Sequence, residues 1–167
     1  MVWLGNEERE YFVNAPKLTY LIDQWQNSDP IGDSTRNRME LNFNHPVKTL
    51  IVDVNDVAVS ERSKILKLTT SGVEISKLAV NQMEFAMYYH CPNGSLTLPA
   101  DRYPIIPFAL NLGSNQPSGS LNFSRLDNIQ LSSDELLDGA SLSSTVTAVS
   151  SNVLVIKNGM GGLEFSN

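Results

Sequence analysis

Apolar and polar residues alternate along most of this chain in short runs, and the runs are punctuated by Gly, Pro, Asn and Ser. That is the pattern of half-buried β-strands separated by turns. Leu18, Tyr20 and Ile22 mark a strand over 18–26, with Trp25 following an irregularity. Met39, Leu41 and Phe43 share one face of a strand over 39–44, and His45-Pro46 turns it, because proline moves its predecessor out of the helical region. Residues 48–54 form a strongly apolar strand. Residues 65–70 and 73–77 read as a hairpin about Ser71-Gly72. Residues 83–89 suit strand or helix by period, and their aromatic content favours strand.

Further on, Pro104 and Pro107 restrict a strand over 104–110 to an edge or a bulge. Turns are expected at 91–94 and 99–101. One strand is expected over 121–131, a helical turn over 132–137 and strands over 141–151 and 153–157. The best helix candidate is 6–13, with Asn6 as N-cap, Glu7 and Glu8 in the first turn, and Pro16 beyond its end. The sum is an all-β sandwich or barrel with one short N-terminal helix, and 167 residues suffice for one domain with a sizeable core. No internal repeat is visible.

Three long stretches carry a resemblance. Residues 41–48 read LNFNHPVK and include Asn44, His45 and Pro46. Residues 116–128 contain Gln116, Pro117, Ser118 and Gly119 in a turn, then Asn122, Phe123, Ser124, Arg125, Asp127 and Asn128. The close, 152–167, contains Gly159, Met160, Gly161 and Gly162. In this order they resemble the major capsid proteins of the large nucleocytoplasmic DNA viruses (the iridovirus, phycodnavirus and mimivirus group). Weaker similarities at 4–12, 20–24 and 107–110 extend the likeness over essentially the whole chain. Lys157-Asn158 departs from the family's usual residues before the glycines, and the short passage from 54 to 65 lacks a long insertion.

The resemblance implies a single antiparallel jelly-roll β-sandwich over 18–167, matching the second of the family's two tandem rolls. Residues 1–17 would be a junction strand and short helix. A fragment, a separately expressed domain and a shortened relative all fit. The implied function is structural: a block of an icosahedral shell that acts by self-assembly and lateral packing. Its partners would be copies of itself, in a trimeric capsomer, and neighbouring capsid proteins. Its location would be the virion, after assembly in the host cytoplasm. The motif residues would then be structural determinants of turns and terminal strands.

Composition changes this picture little. A net charge of −6 argues against a nucleic-acid-binding face, which needs clustered Lys and Arg. The single cysteine, Cys91, forms no intramolecular disulfide and fits a reducing compartment. No apolar run approaches the ~20 residues of a membrane-spanning helix, and no signal peptide is visible. His45 and His90 are the only histidines, so neither a metal site nor a cofactor is expected, and Cys91 reads as a small packed hydrophobe. No nucleophile elbow or phosphate-binding loop occurs, so no catalytic residue is assigned. Asn93 and Asn122 match the glycosylation pattern, with Asn93 the more exposed candidate in its turn.

A second reading is a lone vertex, fibre or lectin-like module binding a glycan or a receptor. Trp3, Trp25, Tyr88, Tyr89 and Tyr103 supply rings for stacking, although aromatics on a sandwich more often lie in the core.

Overall fold

The computed structural model describes residues 3–28, 38–53, 65–91, 103, 105–133 and 145–165. The loop expected at 27–34 beyond Ser28, the turns at 92–94 and 99–101, the helical turn beyond Ser133 and the candidate glycosylation residue Asn93 lie outside the described residues.

Two antiparallel sheets face each other. The first runs β1 (Leu18–Asn27), β9 (Val146–Lys157), β3 (Pro46–Val52), β6 (Ile105–Pro107). The two-residue β7 (Leu121–Asn122) extends β3, and β10 (Met160–Leu163) pairs with the end of β9. The second runs β2 (Arg38–Glu40), β8 (Ile129–Ser133), β4 (Ile65–Thr70), β5 (Val73–Ala79). Strands β1 to β4 alternate between the sheets, and the late strands β8 and β9 insert between early ones: β8 between β2 and β4, β9 between β1 and β3. That interleaving is a jelly roll.

The core lies between the sheets. Val47, Leu50, Val52, Ile106, Val146 and Ala148 of the first sheet meet Met39, Leu66, Leu68, Ile129 and Leu131 of the second. A second cluster lies on the outer side of the first sheet, where Met87 and Cys91 cover Ile51, Ile105 and Val149.

That second cluster exists because residues 83–89 are not a strand. Helix α2 (Val80–His90) follows β5 without a break. Val80, Met83 and Met87 recur at helical spacing and are buried, whereas Phe85, Tyr88 and Tyr89 point outward at 74%, 73% and 82% exposure. A helix apolar on both sides hides its period, and rings that would favour a strand only when packed are here in solvent. The fold therefore has a second helix beyond the N-terminal one.

Helix α1 (Asn6–Asn14) is capped one residue earlier than expected, at Gly5, whose N–H donates to Glu8 Oε2 at 3.0 Å. None of its residues is buried. Trp3 to Gly5, the described part of the expected junction strand, are not in a strand.

Several strand expectations also change: β2 ends at Glu40, so 41–44 lie outside the strand expected over 39–44, and β6 ends at Pro107, short of the 110 expected. β1 pairs with β9 in unbroken register through Asn27, so Trp25 follows no irregularity and faces outward with Leu21 and Asp23. Residues 146–157 form one twelve-residue strand rather than two, because Ser150 and Asn152 satisfy their polar side chains inside the sheet. Residues 121–131 are not one strand. Asn122 Oδ1 accepts the Ser124 N–H at 3.1 Å, which starts a 3-10 turn over Phe123–Arg125, and Asn128 adopts φ 57° before β8 begins. The Ser71-Gly72 turn forms as expected, with positive φ at both residues. Asn158 and Gly159, at φ 53° and 75°, make a second turn of this kind between β9 and β10.

Candidate assembly surface where the motifs meet

Two of the three motifs are joined directly. Pro46 and Val47 of β3 pair with Asn122 and Leu121 of β7. His45 sits at φ 70°; its N–H donates to Ser124 Oγ at 2.8 Å and its carbonyl accepts from Phe123 N at 3.1 Å. Gln26 of β1 clamps the same turn: its Nε2 donates to Asn44 O and its Oε1 accepts from Asn44 N, both at 2.9 Å. Phe123 then enters the core between Phe43 and Phe108, with ring centroids 6.0 and 6.1 Å away. The motif is thus a corner that carries the chain from one sheet to the other. At its far end the Asp127 carbonyl accepts from Thr70 Oγ1 and Ser71 Oγ, which fixes the β4–β5 turn. Arg125 and Asp127 are exposed.

The third motif joins through the strand before it. Asn152, 1% exposed, donates from Nδ2 to Gln24 Oε1 and to Phe165 O at 2.9 Å, which draws the tail back along β9. A groove of about 420 Å³ results, lined by His45, Pro46, Asn122, Ser124, Asn152 and Phe165 together with Leu21, Ser151 and Val153. The glycine segment itself lies apart from this groove. Gly159 packs near Val13 of α1, and Met160 is 74% exposed. A Cβ on Gly162 would meet nothing within 4 Å.

The turn Gln116–Gly119 builds a different wall. Ser118 Oγ accepts from Asn111 N and donates to Asn111 O, at 2.9 and 3.0 Å, and so closes loop 111–118. Gly119, at φ 137°, lies so close to the Phe108 carbonyl that an added Cβ would be 2.8 Å from its oxygen. The loop is held over the outer face of the first sheet. There a bulge between Val47 and Thr49 turns Lys48 outward. Lys48 is 7% exposed and its Nζ lies 2.7 Å from the Asp23 carboxylate.

Sequence reasoning missed Gln26, Asn152, Asp23 and Lys48. Lys48 carried a legible signal, a lone charge inside the apolar run 46–52. The others look like ordinary polar strand residues. The expectation that the aromatics belong to the core is also corrected. Trp3, Trp25, Tyr88 and Tyr89 are all more than half exposed, and only Tyr103 packs against a cluster. Burial pushes the Cys91 thiol up from its ordinary pKa. His90 and Cys91 end α2 instead of a strand, with His90 Nδ1 3.1 Å from the Leu110 carbonyl. Among the described residues no group of three or more His, Cys, Asp or Glu could hold a metal, and no helix is long and apolar enough to cross a membrane.

A sequence model described as the large eukaryotic DNA virus major capsid protein matches residues 8–162. The chain belongs to this capsid protein family. A major capsid protein of Pyramimonas orientalis virus is 29% identical over 99% of the chain and 47% of its own length. One from Paramecium bursaria Chlorella virus 1 is 28% identical over 99% of the chain and 52% of its own length. In fold the chain is similar to the capsid of PBCV-1, with TM-score 0.69 and 21% identity over 99% of this chain and 55% of that one. It is likewise similar to PBCV-1 VP54 as fitted into a reconstruction of the virophage Sputnik, with TM-score 0.71 and 22% identity over the same shares. The chain spans about half the length of the capsid proteins it matches.

Proposed function

We propose that this jelly roll is a structural block of a viral shell, acting by self-assembly and lateral packing rather than by catalysis. The observation that carries the reading is the family match over 8–162 on a two-sheet sandwich of this topology. Copies of itself, in a trimeric capsomer, and neighbouring capsid proteins are its partners. The virion is its location, with assembly in the host cytoplasm.

The surface supports this reading. Among the described residues, large apolar side chains are exposed around α2 (Phe85, Tyr88, Tyr89, Leu110), at α1 (Trp3, Tyr11, Val13), along the tail (Met160, Leu163, Phe165), on β1 (Tyr20, Leu21, Trp25) and on β5 (Val73, Ile75). Patches of this kind mark association surfaces. Asn44 to Pro46 and Asn122 to Ser124 set the corner that orients the tail. Gly161 and Gly162 leave β10 without side-chain bulk, so a neighbouring backbone can approach closely. A lone lectin-like or fibre module is not favoured, because the relatives that match nearly the whole chain are major capsid proteins.

Light scattering coupled to size exclusion, across the soluble concentration range, tests the proposal. A discrete trimer or larger closed ring supports self-assembly through this roll alone. Concentration-dependent, non-stoichiometric association supports a roll whose packing surfaces need a second domain. A strict monomer at every concentration, with its exposed aromatics fully quenchable, would refute assembly through these surfaces.

A further inference from the structure

The cleft between β1 and loop 111–118 has features that packing alone does not require. It consists of two adjoining hollows of about 220 and 280 Å³, which share Asp23, Lys48, Ser114 and Asn115. Together they fall within the size range of small-ligand sites. Trp25, 55% exposed, lines one hollow, and Ser151 lines the other. The Lys48 side chain is 9% exposed, and among the described residues its ammonium pairs with Asp23, although an ammonium carries three donors. A bulge places it there, and a loop closed on itself by Ser118 forms the opposite wall. The site is therefore preorganised.

We propose that this cleft binds a neutral saccharide, with one pyranose ring stacked on Trp25 and its hydroxyls shared among Asp23, Lys48, Ser114, Asn115 and Ser151. The charge balance selects the class. A free anion would have to compete with Asp23 for Lys48, and a free cation with Lys48 for Asp23. A ligand of paired hydroxyls takes both at once, donating to the carboxylate and accepting from the ammonium without separating them. Ser114, Asn115 and Ser151 add uncharged donors and acceptors, and the indole face accepts the apolar C–H face of the ring. An extended peptide fits less well, because it would dock on an open strand edge and the cleft lies over a sheet face. The proposal adds a binding property to a shell protein and does not depend on how the shell assembles.

The test uses the full chain carrying Trp3→Phe, which leaves Trp25 as the sole indole. Methyl glycosides of glucose, galactose and mannose, and their short oligomers, are titrated while Trp25 emission is followed. The expected result is a saturable change with at least one sugar, with a dissociation constant on the order of 1 mM or tighter. Asn115→Ala and Ser151→Ala should each weaken it about fivefold or more at unchanged melting temperature, because neither side chain belongs to the core. Trp25→Ala, read by saturation-transfer NMR, should abolish it. Three results would overturn the proposal: no saturable response to any sugar, a response untouched by these substitutions, or sugar-independent protection of Trp25 that grows with protein concentration. The last would make the cleft a contact between copies.

Discussion

Gly119→Ala tests whether the turn in the second motif is pinned as the structure describes. At φ 137° the residue occupies backbone space that is essentially reserved for glycine, and forcing alanine into it costs about 1–3 kcal/mol. The new Cβ would also lie 2.8 Å from the Phe108 oxygen and 3.5 Å from the Ala109 Cα. Phe108 and Ala109 cannot retreat freely, because both N–H groups donate to the Lys48 carbonyl, at 2.9 and 3.1 Å. Overpacking of this kind adds about 1–3 kcal/mol. Stiffening of the unfolded chain returns about 0.4–1 kcal/mol. The net expectation is a destabilisation of about 2–4 kcal/mol, read as a lower urea midpoint, or a melting temperature lower by about 5–15 °C in a chain of this size. Gly162→Ala is the control. Its Cβ meets nothing within 4 Å and its φ is unexceptional, so its midpoint should stay within about 0.5 kcal/mol. If Gly119→Ala unfolds at the wild-type midpoint, loop 111–118 is free to relax and the argument for a preorganised wall fails.

The Asp23–Lys48 pair should respond asymmetrically. Asp23→Ala leaves a buried ammonium without its carboxylate and should cost about 1–3 kcal/mol, whereas Lys48→Met should be neutral within about 1 kcal/mol, both read from chemical denaturation. Gln26→Ala removes both hydrogen bonds to the Asn44 backbone. It should cost about 1–3 kcal/mol and raise the exchange rate of the Asn44 amide hydrogen selectively. Burial raises the Cys91 pKa, so less thiolate is present near pH 8 than for a free thiol. A disulfide reagent should therefore modify the native chain at least about tenfold more slowly than the denatured chain, and equal rates would contradict the burial.

What could be read from the residues divides along physical lines. The β4–β5 hairpin and β3 were legible because alternation and turn chemistry agree there, as Ser71-Gly72 shows. Two of the three motifs, recognisable as strings, meet in space through Pro46–Asn122 and His45–Ser124. Helix α2 was not legible, because Phe85, Tyr88 and Tyr89 give it a second apolar face that erases the helical period. The break within 121–131 was hidden for another reason. Asn122 caps a 3-10 turn through its own side chain, and that competition with the ladder leaves no trace in hydropathy. The cleft was least legible of all. Its charged pair joins residues 23 and 48 across a bulge, and a bulge is a matter of register rather than composition.

Strand β9 has a consequence for how the chain is made. It is the middle rib of its sheet: residues 147–156 pair with β1, and 146–150 also pair with β3. β1 therefore waits for a partner more than a hundred residues downstream, and β3 for the same one. During synthesis the first sheet cannot close until position 157 has left the ribosome, and until then the apolar faces of β1 and β3 stand open. Folding should be slow and nearly all-or-none, as non-local pairing dictates. A chain cut short before that point could complete only the second sheet, whose four strands all end by Ser133, and would leave β1 and β3 without the rib they share.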